Sequence, residues 1–126
     1  MKKILLVDNE VDITFALENA LDNHGFKVDS FNDPITALKS YKSNFYDLII
    51  LDIKMPKMDG FQLYTKISEQ DPKAKICFLT ASELFYEEFR KTRLKLGEKI
   101  GEEYFIQKPI KTEDLLEKLN TLITNK

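Results

Sequence analysis

The chain has 126 residues, 43% hydrophobic and 32% charged, which is enough to enclose one core without disulfides or a structural metal. Its formal charge of −2 gives no general attraction to nucleic acid or an anionic membrane, and no apolar run approaches the ~18 residues of a membrane span. The amino terminus begins directly with a strand rather than a signal sequence, and the one cysteine, Cys77, has no disulfide partner, so a single cytoplasmic domain over residues 1–126 is expected.

Lys3-Ile4-Leu5-Leu6-Val7 is a short apolar run that stops at Asp8. A helical stripe follows, with Ile13, Ala16, Leu17, Ala20 and Leu21 on one face, and Gly25 ends it. Residues 26–31 alternate and predict a strand near the sheet edge. Asp33-Pro34 is an N-cap with proline in the first turn, opening a helix with Ile35, Leu38 and Tyr41 inward. The run Asp47–Leu51 stops at Asp52. Asp59, read as an N-cap, and Gly60, read as needing backbone freedom, open a third helix through Leu63, Tyr64 and Ile67. The run Lys75–Leu79, with Cys77 as an inert core residue, stops at Thr80. A fourth helix is expected from Ser82-Glu83, with Phe85 and Phe89 four apart. The run 104–107 stops at Lys108-Pro109, and Thr112 opens a last helix with Leu115, Leu116, Leu119, Leu122 and Ile123 as its stripe.

Short apolar runs buried on both faces, alternating with amphipathic helices, predict a three-layer (βα)5 α/β sandwich around a five-stranded parallel sheet. Parallel strands end on one side, and that edge of an open α/β sheet holds the site. Asp8, Asp52, Thr80 and Lys108 therefore share one crevice. Carboxylates gathered there need a cation between them, and all-oxygen ligands suit Mg²⁺ or Mn²⁺. Asp8 and Glu10 also suit the start of the first helix as capping acids; Asp52 has no helix directly after it, so capping does not explain it. His24, the only histidine, sits beside the Gly25 helix stop and is read as structural.

Leu51–Gly60 (LDIKMPKMDG), with Val-Asp-Asn-Glu before it and Leu-Thr-Ala and Lys-Pro after it, closely resembles the receiver domain of two-component response regulators. The resemblance covers the whole chain. It implies a flavodoxin-like strand order 2-1-3-4-5 and a phospho-acceptor signalling switch, a self-modifying regulator rather than a turnover enzyme. Asp52 would be the nucleophile and the modified residue, taking a phosphoryl group from a sensor histidine kinase or phosphotransfer protein. Mg²⁺ would be held by Asp8, Asn9, Asp52 and the backbone carbonyl of Lys54. Lys108 and Thr80 would contact the phosphoryl oxygens, and Pro109 would follow a cis peptide bond. Thr80 and Phe105 would carry the switch to a downstream effector protein on the face of the fourth helix, last strand and last helix. Nucleic-acid and membrane partners are not expected, nor is an output domain.

Three departures stand out. The family's second acid after the first strand is here Asn9, so Mg²⁺ should bind less tightly unless Glu10 substitutes. The aromatic three residues before the lysine is Phe105 rather than tyrosine. Residues 81–107 are about six longer than the resemblance predicts, with Glu83, Glu87 and Glu88 followed by Arg90, Lys91, Arg93 and Lys95; a long helix or a modified docking face would explain this. The alternatives are a pseudo-receiver that is never phosphorylated and a flavin-binding electron carrier. The latter needs a phosphate-cradling loop where Asp8-Asn9-Glu10 would instead repel phosphate.

Overall fold

A computed structural model describes residues 1–81, 87, 90, 91, 94 and 101–124. Five strands run β1 (Lys2–Val7), β2 (Phe26–Phe31), β3 (Leu48–Asp52), β4 (Ile76–Ala81) and β5 (Phe105–Lys108). They form one sheet in the order β2-β1-β3-β4-β5, every pairing parallel. Four helices are described in full: α1 (Val11–Asp22), α2 (Pro34–Ser40), α3 (Gly60–Gln70) and α4 (Thr112–Thr124). The fourth predicted helix lies mostly outside the described residues, including Ser82, Glu83, Phe85, Phe89, Arg93 and Lys95. Glu87, Arg90, Lys91 and Leu94 are helical, and Lys91 pairs with Glu87 one turn away at 3.0 Å.

The central strands are apolar on both faces because both faces are covered. Leu5, Val7, Ile49, Leu51, Phe78 and Phe105 pack under α2 and α3, with Leu63 and Ile67. Ile4, Leu6, Leu48, Ile50, Cys77, Leu79 and Ile106 pack under α1 and α4, through Leu21, Leu115, Leu119 and Leu122. Strand β2, which alternates, is the edge. Burial pushes the Cys77 thiol up to about 12, so it stays an unreactive core group.

Local readings needed correction in two helices. On α1 the buried positions are Thr14 and Leu21, while Ala16 is exposed. A polar Thr14 is tolerated because its hydroxyl donates to the Val11 carbonyl at 3.0 Å and accepts from Asn32 Nδ2 at 2.9 Å. On α2, Pro34 and Ala37 are the buried residues, while Leu38 and Tyr41 pack partly buried against the core as expected. Tyr41 lies past the helix end in extended backbone, and its hydroxyl donates to Asp71 Oδ2 at 2.6 Å. Tyr104 belongs to a short 3-10 turn before β5 rather than to the strand.

Candidate functional site

Asp8 leaves β1 at the sheet's carboxyl edge, and the register fixes it there. Its N–H donates to the Phe31 carbonyl at 3.1 Å. Its own carbonyl accepts from Asn32 Nδ2 at 2.8 Å, so the amide just past β2 ties Asp8 to Thr14. Asp52 ends β3, one strand away. The next residue, Ile53, donates to Leu79 of β4 and accepts from Gly60, and these main-chain bonds fix the turn after Asp52. Asp59 caps α3 in a full capping box with Gln62.

Gly60 earns its place through space rather than flexibility. A Cβ there would lie 2.4 Å from the carbonyl oxygen of Asp52, and among the described glycines only Gly25 has a positive φ. The α3 N-terminus can approach the strand end this closely only without a side chain.

Lys108 closes the site from β5, followed by a cis peptide bond to Pro109. Its Nζ lies 3.2 Å from Asp8 Oδ2, 3.3 Å from Asp52 Oδ1 and 3.4 Å from Glu10 Oε1. One carboxylate oxygen each from Asp8, Glu10 and Asp52 falls within 4.8 Å of the others. Asp8 is fully buried and Asp52 nearly so. Three carboxylates thus face one ammonium. Burial, and next the Asp8 charge, push Asp52 up to about 7 against the pull of Lys108. For Lys108, burial acts downward, but the carboxylates of Asp52 and Asp8 outweigh it and raise the ammonium above its ordinary value. Such a set fits a hard divalent cation with oxygen ligands.

A crevice of about 110 Å³ is lined by Glu10, Asp52, Lys54, Thr80 and Lys108. Thr80 is buried, and its hydroxyl donates to the Ala81 carbonyl at a long 3.4 Å. Asn9 is exposed, as is Glu10. Glu10 stands at the mouth. It occupies the N-cap position of α1, yet its side chain makes no cap hydrogen bond, so the capping reading of this acid does not hold. The Phe105 ring is buried, 5.6 Å from that of Phe78. A phenyl ring carries no hydroxyl to hold it at the surface. His24 is far from this chemistry, with Nδ1 2.8 Å from the Ala20 carbonyl near the end of α1.

Sequence reasoning missed the Asn32–Thr14 brace beneath Asp8. The signal was present in the parallel register, which sets the residue after Phe31 beside the residue after Val7.

The family model of the response regulator receiver domain matches residues 4–120. The alkaline phosphatase synthesis transcriptional regulatory protein PhoP of Bacillus subtilis is 32% identical over 97% of this chain and 48% of its own length. The chain spans about half the length of the first curated relatives it matches. Among solved structures, a response regulator receiver domain protein of Clostridium thermocellum superposes with a TM-score of 0.83 at 25% identity, covering 98% of this chain and 94% of that one. The response regulator TrrA of Thermotoga maritima, solved in complex with Mg²⁺–BeF, is 32% identical with a TM-score of 0.76, covering 97% and 99%.

Proposed function

We propose that this chain, which belongs to the response regulator receiver domain family, is a phospho-acceptor switch modified at Asp52. The observation that carries the reading is the convergence of Asp52, Asp8 and Lys108, from three different strands, on one crevice. An Asp52 oxygen attacks the phosphorus of a phosphorylated histidine on a sensor kinase or phosphotransfer protein. The new O–P bond forms as the N–P bond breaks, and the imidazole leaves.

Mg²⁺, or Mn²⁺ in its place, would be held by Asp8, Asp52, the Lys54 carbonyl and a further group from Asn9 or Glu10. When bound it offsets negative charge on the entering phosphoryl oxygens. The TrrA complex with Mg²⁺–BeF supports such a site in a relative. Lys108 orients the phosphoryl group through its ammonium. Thr80, whose present hydrogen bond is long and weak, turns its hydroxyl to a phosphoryl oxygen. The change is passed to an effector protein on the face of β5 and α4, and Arg90 and Lys91, both exposed, are proposed contacts for it. No helix among the described residues is long and apolar enough to cross a membrane, and we place the protein in the cytoplasm beside its kinase.

Intact mass after incubation with acetyl phosphate and Mg²⁺ tests the assignment. One phosphoryl group should be gained, and none in EDTA or in Asp52→Asn. Wild-type protein that gains no mass would instead be an interaction module that is not phosphorylated.

A further inference from the structure

We propose that Glu10, not Asn9, is the third acid of the cation site, and that it exchanges Lys108 for the metal as the site loads. The inference rests on the receiver reading of the crevice, and it assigns a residue that the two-acid pattern after the first strand would not.

Three observations lead to it. First, the Glu10 carboxylate is not spent on its own helix. It sits at the N-cap of α1, and its side chain makes no cap hydrogen bond to the first-turn N–H groups. Second, it reaches across the crevice to Lys108, 98 positions later, and its oxygen falls within 4.8 Å of those of Asp8 and Asp52. Third, Asp8 is already committed. Its Oδ1 accepts from the Glu10 N–H at 2.9 Å and its Oδ2 from Lys108 at 3.2 Å, and the residue is fully buried.

The two acids therefore divide the work. Asp8 is a fixed anchor at the floor. Glu10, whose side chain is 61% exposed, is a long arm at the mouth that can follow a cation inward. Asn9 brings no charge, and affinity for a hard cation depends on the number of charged oxygens around it. The Lys108 ammonium now holds the three carboxylates together. With a divalent cation held there, the Lys108 ammonium would be a like charge beside it, and Glu10, the least buried of the lysine's partners, would be the contact most easily traded.

Mn²⁺ binding followed by electron paramagnetic resonance, with Mg²⁺ as competitor, tests this on the full chain without any phosphodonor. Glu10→Gln keeps the side-chain length and removes the charge, and should raise Kd about tenfold, while Asn9→Ala should stay within about twofold of wild type. Glu10→Asp, with its charge kept and its reach shortened, should recover part of the loss. Thermal melting in EDTA checks that all three variants are folded. The inference is overturned if Asn9→Ala weakens binding as much as Glu10→Gln does, or if Glu10→Gln binds like wild type. Either result leaves Asp52 phosphorylation, read separately by mass, untouched. Wild-type protein that binds neither ion would end both this assignment and the metal-dependent part of the functional proposal.

Discussion

Lys108 Nζ lies 3.2 Å from Asp8 Oδ2, so a lysine at the end of the last strand neutralises a fully buried carboxylate 100 positions earlier. The pair joins opposite halves of the sheet through a charge-assisted hydrogen bond. Its removal should be costly in a particular way. Lys108→Met keeps the stem and leaves Asp8 and Asp52 buried without their cation, a change that typically costs about 3–5 kcal/mol. Urea unfolding in EDTA should show a loss of this order, and saturating Mg²⁺ should restore much of it. A loss that is the same with and without Mg²⁺ would mean that Lys108 acts through packing.

The raised Asp52 group makes a pH prediction for the metal-free protein. Its folded value, about 7, exceeds the unfolded value of about 3.9, so the protonated form favours the fold. That contribution is complete below about 3.9 and is lost as pH rises through about 7. Asp52→Asn cannot lose it. In EDTA at pH 8 the variant should therefore be more stable than wild type, by on the order of 2 kcal/mol, and the gap should close as pH falls toward 4. A gap that is constant with pH, or of the opposite sign, would show that burial and the Asp8 charge together do not raise the Asp52 group in the fold.

The parts of this site that were legible in the sequence are those fixed by strand ends. Val7, Leu51, Leu79 and Gln107 close four apolar runs, and parallel pairing alone brings the residues after them to one edge. Side-chain direction beyond the strand was not legible. Asn9 and Glu10 both follow Asp8 where neither period applies, so nothing in the pattern says which of them faces Lys108. Thr14 was likewise hidden, since its burial depends on an amide from Asn32, eighteen positions away. The inward Phe105 ring is a choice of rotamer and space, which residue type alone leaves open.

Gly60 gives the third prediction. Gly60→Ala would place a methyl 2.4 Å from the Asp52 carbonyl oxygen. Backbone cannot yield as a flexible side chain would, so overpacking should cost about 1–3 kcal/mol. The strain falls on Asp52, the proposed phosphoryl acceptor. Denaturant unfolding should report the stability loss, and the rate of mass gain from acetyl phosphate should drop in the same variant. Unchanged stability would mean that α3 can shift away from β3 freely.

Thr80 and Phe105 share one face of the sheet, because Phe78 pairs with Phe105 and Thr80 lies two residues beyond Phe78. Phe105 is buried already, so modification cannot draw extra stabilisation from burying its ring. In the proposed switch the change starts at Thr80, whose 3.4 Å bond to Ala81 is easily exchanged for a stronger one to a charged phosphoryl oxygen. A ligand shifts a conformational equilibrium only through interactions that differ between the two states, and this is the difference available. Thr80→Ala should keep the mass gain at Asp52 and lose the response beyond it. In amide NMR with beryllofluoride as the phosphoryl mimic, wild-type shifts should extend through β5 to Phe105 and into residues 82–101. In Thr80→Ala they should stop within a few residues of Asp52. Phe105→Ala should behave differently, losing about 3–5 kcal/mol of stability through the cavity it leaves with or without the mimic. Wild-type shifts confined to the neighbourhood of Asp52 would show that the signal does not leave the crevice by this route.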